Sequence, residues 1–91
     1  MDVVIPAGRV LHARPAAVLA RMAGEYRSVI TLENLTNGRG PVNARSVVSL
    51  LSLGATAGTC VRILAEGDDA VAATAALSVA LTRLLEAEAP A

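Results

Sequence analysis

The sequence predicts a single α+β domain, residues 1–91, in which one β-sheet carries all of the helices on one face. Three observations lead to this class. The 91 residues are enough for one hydrophobic core and too few for two. Apolar residues recur at helical spacing in some segments and alternate with polar residues in others. The resulting order of elements, βαββαβα, has interspersed strands and helices with two consecutive strands, which suits such a sheet.

The first predicted elements are a strand and a helix. The β-branched run Val3–Ile5 predicts a strand, and Pro6 and Gly8 predict the loop that follows it. From Pro15 onward, apolar residues form a stripe at helical spacing. Proline suits the first turn of a helix because a missing N–H costs nothing there, and Gly24 stands near the predicted end.

The middle of the chain predicts two strands and a short helix. Ser28–Glu33 alternates apolar and polar side chains, as a half-buried strand does. Turn residues at 37–41 lead into a brief strand, Val42–Asn43. Ser46 then suits the N-cap of a helix of hardly two turns, Val47–Leu53.

A strand and a long helix complete the order. Cys60–Glu66 alternates again and predicts the last strand. Asp68 suits the N-cap of the final helix, with Asp69 in its first turn, because carboxylates there interact favourably with the free backbone amides. Apolar residues line one face of this helix: Ala73, Leu77, Ala80, Leu81 and Leu84.

The composition argues against several classes of function. Eight arginines and no lysine balance eight acidic residues, so the net charge is zero and the surface does not suit nucleic acid or an anionic membrane. Tyr26 is the single aromatic residue, whereas platforms that stack nucleic-acid bases need several rings. The lone Cys60 cannot form an internal disulfide, and the single histidine, His12, has no second histidine or nearby acid pair to complete a metal site. We therefore expect no metal, no cofactor and no nucleic-acid partner.

Nothing in the sequence predicts export or membrane insertion. Asp2 stands where a signal peptide needs positive charge, and the apolar run after it is only three residues long. The longest uncharged stretch, Ala70–Thr82, is too short to cross a bilayer. We expect a soluble protein of the cytoplasm, which the lone cysteine also favours.

The candidate for chemistry is His12, in the segment Leu11-His12-Ala13-Arg14-Pro15-Ala16-Ala17 directly before the first predicted helix. The backbone N–H groups of Ala13 and Arg14, the positive end of the helix dipole and the Arg14 guanidinium all favour an anion at this place. Imidazole is nucleophilic and largely neutral near pH 7, so it can accept a phosphoryl group. A phosphohistidine is one interpretation, and a surface or capping histidine is the other.

Three segments resemble HPr, the family of histidine-containing phosphocarrier proteins of the bacterial sugar phosphotransferase system. Residues 11–16 are similar to its active-site signature, residues 43–54 to its second signature, and residues 65–69 to its approach to the last helix. The resemblance covers nearly all of the chain and implies an open-faced β-sandwich, with a four-stranded antiparallel sheet under three helices on one face. Family members usually have Gly directly before the Leu-His pair, where this chain has Val10, and Arg9 adds a positive charge near the phosphate.

The resemblance implies a phosphoryl carrier rather than an enzyme. Enzyme I, which takes a phosphoryl group from phosphoenolpyruvate, would transfer it to Nδ1 of His12, and IIA domains of sugar permeases would receive it. Arg14 and the Ala13 amide would stabilise the group, and the carrier would act as a monomer without a cofactor. The alternative is a specialised or regulatory paralogue that acts mainly by protein binding, for example one that serves dihydroxyacetone kinase. The long turn at residues 34–41 resembles HPr-like domains fused into multiphosphoryl transfer proteins.

The short second helix carries two further candidate sites. Ser46 matches the serine that HPr kinase modifies in some members of the family, but N-capping explains the same residue without a kinase, and the two roles can coexist. Val47, Val48 and Leu51 would form the apolar patch on which enzyme I and IIA domains dock. Ordinary core packing is the alternative for these three residues, although a two-turn helix cannot bury every apolar face.

Overall fold

The computed structural model describes residues 1–87, and residues 88–91 of the predicted domain lie outside the described part. Its elements are β1 (Asp2–Val4), α1 (Ala13–Ala23), β2 (Val29–Asn34), β3 (Val42–Asn43), α2 (Val47–Leu51), β4 (Cys60–Glu66) and α3 (Ala70–Ala87). The predicted order βαββαβα is confirmed. The last two strands have the predicted bounds, and the first two are displaced by one residue.

The four strands form one antiparallel sheet in the order β1-β4-β2-β3. Alternation along the strands places an apolar set under the helices, and each member is at most 9% exposed: Val3, Ile30, Leu32, Val61 and Ile63. The opposite face leaves three apolar side chains exposed: Val4, Val29 and Leu64. The open-faced β-sandwich that the resemblance implies is therefore confirmed.

Small side chains allow α1 and α3 to pack closely on each other, and α3 also packs on β4 and β1 of the sheet. The buried residues of α1 are Pro15, Ala16, Leu19, Ala20 and Ala23. Those of α3 are Ala73, Leu77, Ser78, Leu81 and Leu85. Leu84, which the apolar stripe predicts in the core, is only partly buried, and Leu85 fills the core instead.

By length and composition alone, α3 is long and apolar enough to cross a membrane, with 18 residues and a mean hydropathy of 1.4. The prediction from the uncharged stretch Ala70–Thr82 underestimates the length of the apolar helix, because α3 continues to Ala87. One such helix is weak support for a membrane span, since the core helix of a soluble protein passes the same test. Here 28% of α3 is buried, and its inner face packs against α1 and β4.

The start of α3 differs from the prediction. The helix begins at Ala70, so Asp69 directly precedes it, and the prediction of Asp68 as the N-cap is wrong. The Asp69 carboxylate accepts hydrogen bonds from the backbone N–H groups of Arg27 (2.8 Å) and Ser28 (3.0 Å), and from the Ser28 hydroxyl. These contacts tie the start of α3 to the segment between α1 and β2.

Acid is expected to weaken this junction, and Asp69→Asn is expected to remove that part of the pH dependence. The hydrogen bond from the Ser28 hydroxyl, followed by that from the Arg27 amide, holds the pKa of Asp69 below its usual value of 3.8. A carboxyl with a lowered pKa in the folded state contributes stability above its usual pKa, and it loses this contribution as pH falls through the lower folded value. The melting temperature of the variant, measured by circular dichroism, should therefore fall less than that of the wild type below pH ~4.

A second carboxyl with a lowered pKa, Asp2, does not affect this comparison. Arg62 lowers the pKa of Asp2 through a side-chain hydrogen bond, but this pair is present in both proteins and its effect cancels. Parallel pH profiles for the wild type and Asp69→Asn would contradict the role of the Asp69 carboxylate.

Candidate functional site

The loop between β1 and α1 is held by the segment that precedes β4. The Leu11 N–H donates to the Ala55 carbonyl oxygen at 2.9 Å. Val10 forms an isolated antiparallel bridge with Thr56. These contacts anchor the chain directly before His12.

His12 lies at the junction between this anchored loop and α1. Its backbone is extended, with φ −106° and ψ −171°, and its carbonyl oxygen accepts a hydrogen bond from the Ala16 N–H at 3.1 Å. His12, Ala13 and Arg14 are exposed, whereas Leu11 and Ala16 on either side are buried. Buried anchors therefore present a short exposed segment that contains the histidine.

The first turn of α1 offers an anion two backbone amides and a guanidinium. Pro15 has no N–H and Ala16 donates to His12, so the N–H groups of Ala13 and Arg14 have no acceptor within the helix. The first turn contains no acidic residue, and a helix N-terminus is equivalent to about half a positive charge. The predicted residues His12, Ala13 and Arg14 thus follow one another at an exposed helix N-terminus, a place that favours an anion.

Other reactive groups do not form a second centre in residues 1–87. This part of the chain contains no group of three or more His, Cys, Asp or Glu side chains that could hold a metal ion. Cys60 is a free, partly buried thiol at the first position of β4. His12 therefore remains the candidate nucleophile among the described residues.

The apolar patch predicted on α2 is only partly covered. Val48 is 78% exposed and Leu51 is 40% exposed, whereas Leu50 points into the core. Val47 is partly buried and packs against the core. Because α2 packs against α1, the patch and His12 lie on or directly before neighbouring elements. Ordinary core packing explains Val47 in part but does not explain Val48.

The capping role of Ser46 is confirmed. Its side-chain oxygen accepts a hydrogen bond from the Ser49 N–H at 3.2 Å, and its carbonyl oxygen accepts one from the Leu50 N–H at 3.0 Å. Ser46 is partly exposed at the edge of the patch formed by Val47, Val48 and Leu51. A regulatory role for this serine stays a prediction.

Ser46→Ala is expected to destabilise the protein by about 0.5–2 kcal/mol because the cap is lost. Ser46→Asp is the matched control, since it retains an acceptor and adds a favourable charge at the helix N-terminus, and it should stay within about 1 kcal/mol of the wild type. Chemical denaturation measures the free energy of unfolding of both variants. Equal stability of Ser46→Ala and the wild type would contradict the capping role.

Asn34 organises the loop that faces the end of α2, and the sequence pattern does not reveal this role. The side chain is fully buried, its Nδ2 donates to the Leu53 carbonyl oxygen at 3.0 Å, and its Oδ1 accepts from the N–H groups of Thr36 and Asn37. Asn37 Nδ2 donates to the same carbonyl oxygen at 3.0 Å. Side chains of the loop thus bind the Leu53 carbonyl oxygen, and α2 ends at Leu51 rather than at the predicted Leu53.

Comparison with known proteins gives a family match over most of the chain. The family model described as PTS HPr component phosphorylation site matches residues 1–83. The Multiphosphoryl transfer protein of Haemophilus influenzae is 41% identical over 71 residues, which are 78% of this chain and 14% of that protein. The protein of the same name from Vibrio cholerae is also 41% identical over 71 residues, which are 18% of its length. The chain therefore spans less than a fifth of the length of these curated relatives.

Solved structures of similar size share the fold. A histidine-containing phosphocarrier protein of Mycoplasma matches with a TM-score of 0.84 and 29% identity, over 93% of both chains. The phosphocarrier protein HPr of Bacillus anthracis matches with a TM-score of 0.77 and 32% identity, over 88% of this chain and 92% of that chain. The catabolite repression protein Crh of Bacillus subtilis matches with a TM-score of 0.73 and 33% identity, over 89% and 90%.

Proposed function

Because the chain belongs to the HPr phosphocarrier family of the phosphotransferase system, we propose that it accepts a phosphoryl group on His12 and passes it to a second protein. The observation that carries this proposal is the position of His12, exposed at the N-terminus of α1 beside the amides of Ala13 and Arg14. The proposed nucleophile and the amides that would bind the anion lie together at the surface. The phosphoryl group of a partner can therefore reach both.

The transfer exchanges one bond to phosphorus for another. The lone pair of Nδ1 in the neutral imidazole attacks the phosphorus atom, the bond between phosphorus and the donor breaks, and Nε2 keeps its proton. The phosphoryl group carries a charge of roughly −1.5 to −2. The amides of Ala13 and Arg14 and the Arg14 guanidinium bind its oxygens. Transfer to the acceptor reverses these steps and restores neutral His12.

The modest stabilisation at this site suits a carrier. The helix N-terminus contributes about 0.3–1 kcal/mol, and a charged hydrogen bond to Arg14 contributes about 1.5–3 kcal/mol. Each ~1.4 kcal/mol changes an equilibrium constant tenfold, so much tighter binding would trap the group on His12. The site can therefore hold the phosphoryl group and still release it.

The proposed donor is enzyme I, and the proposed acceptors are IIA domains of sugar permeases. Both dock on the apolar patch of Val47, Val48 and Leu51, of which two residues are exposed beside α1. The carrier works in the cytoplasm and needs no cofactor. Phosphorylation of Ser46 by an HPr kinase places negative charge at the edge of the patch and weakens docking, which makes Ser46 a proposed regulatory site.

A specialised paralogue is the second candidate function. The curated relatives favour it, because they are named Multiphosphoryl transfer proteins and the chain corresponds to 14% and 18% of their lengths. In this role the chain serves another acceptor, such as a dihydroxyacetone kinase system, or acts mainly by binding. The presence of both His12 and Arg14 favours transfer over binding alone. Transfer assays with purified IIA domains distinguish the two candidates.

Incubation with enzyme I and phosphoenolpyruvate tests the proposal. The protein should gain the mass of one phosphoryl group, and the bond should be labile in acid and stable in base, as a phosphoramidate is. Intact mass spectrometry before and after treatment with acid or base measures both properties. A protein that gains no phosphoryl group from several enzyme I proteins would overturn the proposed function.

A further inference from the structure

Arg39 is an exposed arginine on the loop between β2 and β3, and the proposed transfer does not use it. Its Nη1 donates a hydrogen bond to the backbone carbonyl oxygen of Ser52, directly after α2, at 3.3 Å. The Ser52 N–H in turn donates to the Val48 carbonyl oxygen at 3.1 Å. The guanidinium therefore lies beside the residue that follows Leu51 and stands one helical turn after Val48.

This position is at the edge of the proposed docking patch. Val48 and Leu51 are the exposed members of that patch, and Ser52 is exposed directly after them. Residues four apart on a helix lie on the same face, so Val48 and Ser52 share one face. The contact of Arg39 with Ser52 thus places a positive charge at the C-terminal edge of the patch. A protein that covers Val48 and Leu51 is therefore brought within reach of the guanidinium.

The backbone of the loop holds Arg39 in position. Its N–H donates to Oδ1 of Asn37 at 2.9 Å, and its carbonyl oxygen accepts a hydrogen bond from the Asn34 N–H at 2.9 Å. Gly54 leaves space for the guanidinium, because a Cβ atom at Gly54 would lie only 3.1 Å from Nη1 of Arg39. Substitution of the Arg39 side chain should therefore leave the course of the loop unchanged.

The contact with Ser52 uses little of the hydrogen-bonding capacity of Arg39. A guanidinium has five N–H donors, and within residues 1–87 the Ser52 carbonyl oxygen is the one acceptor that the Arg39 side chain reaches. No carboxylate in this part of the chain forms an ion pair with Arg39. Arg45 shows the contrast, because its guanidinium reaches three backbone carbonyl oxygens, those of Ala23, Tyr26 and Ser28. Since Arg39 is exposed, its other donors can bind a group of another molecule.

We propose that Arg39 is a specificity-determining residue of the docking surface, and that it pairs with an acidic side chain of the phosphoryl donor beside the apolar contact with Val48 and Leu51. This inference rests on the proposed phosphocarrier function. A carboxylate suits the guanidinium because it carries the opposite charge and accepts two parallel hydrogen bonds. A donor protein with a basic residue at the same place would be repelled.

Arg39→Gln is expected to raise the KM for this protein in phosphorylation by enzyme I by about 1.5- to 5-fold at low salt, which is the range for one exposed ion pair. The kcat should not change, because Arg39 affects association rather than the chemistry at His12. Arg39→Glu should raise the KM further, since like charges repel, and Arg39→Lys should stay close to the wild type. High salt should reduce all of these differences, because it screens exposed charges.

Steady-state phosphorylation of the full chain separates association from chemistry. The wild type and each variant are incubated over a range of concentrations with enzyme I and phosphoenolpyruvate, at low and high salt. Intact mass spectrometry gives the initial rates, and chemical denaturation shows whether each variant keeps the stability of the wild type. Arg62→Gln is the matched control, since Arg62 is an exposed arginine of β4 whose neighbours Val61 and Ile63 point to the helices. Its removal takes the same charge from the open face of the sheet.

An unchanged KM for Arg39→Gln and Arg39→Glu at low salt would overturn the inference and leave the proposed function intact. Equal increases for Arg39→Lys and Arg39→Gln would also overturn it, because the charge would then have no role. The same holds if Arg62→Gln raises the KM as much as Arg39→Gln does, since the effect would then not depend on the position of the charge. A wild-type protein that accepts no phosphoryl group would overturn the proposed function and this inference together.

Discussion

His12→Ala is expected to abolish acceptance of an acid-labile phosphoryl group from enzyme I. The chain contains no other histidine, so no second imidazole can replace the lost nucleophile. His12 is exposed, so its substitution leaves no cavity in the core. Loss of transfer with an unchanged melting temperature would separate the chemistry of His12 from any effect on folding.

The measurement for His12→Ala is the mass gained in the presence of enzyme I and phosphoenolpyruvate. Ser46→Ala is the matched control, because it removes the other proposed phosphorylation site and should still gain one acid-labile group. Acid-labile phosphate on His12→Ala would show that another residue accepts the group, and the proposed role of His12 would be wrong.

Arg14→Ala is expected to slow phosphoryl transfer by roughly 10- to 150-fold, which corresponds to the loss of a charged hydrogen bond of about 1.5–3 kcal/mol. Arg14→Lys should lie between this variant and the wild type. Lysine keeps the positive charge but lacks the planar fork that can bind two phosphoryl oxygens at once. Rapid-mixing measurements of transfer from phosphorylated enzyme I give the three rates.

Arg21→Ala is the matched control for Arg14. Arg21 is also exposed on α1 but lies in its last turn, so its removal takes the same charge from the same helix away from the N-terminus. Transfer by Arg21→Ala should remain close to the wild-type rate. Wild-type rates for Arg14→Ala and Arg14→Lys alike would show that the helix amides suffice, and the role proposed for the guanidinium would be wrong.

Local patterns predict most of the secondary structure of this chain. Cys60–Glu66 is predicted with its observed bounds, because burial of one sheet face imposes strict alternation on a strand between two neighbours. The start of α3 is less predictable. Asp68 and Asp69 are both good capping residues in sequence, and the contact of Asp69 with Ser28, 41 residues earlier, distinguishes them only after folding.

The apolar patch on α2 could be predicted from the sequence only in part. Five apolar or small residues in a helix of little more than one turn indicate that some must be exposed, but not which ones. Packing against α1 and the sheet buries Leu50 and leaves Val48 exposed. The existence of the patch was therefore predictable, and its composition was decided by how the helix is rotated against its neighbours.

The sequence by itself determined the candidate nucleophile and the groups proposed to bind the anion, since residues 11–16 are contiguous and the first turn of a helix leaves its own amides free. Tertiary structure alone decided which distant polar groups meet. Asn34 reaches the Leu53 carbonyl and Arg9 reaches that of Glu86 because sheet order and helix packing bring those segments together. Hydrophobic periodicity specifies which face of an element is buried, but it carries no information about partners 19 or 77 residues away.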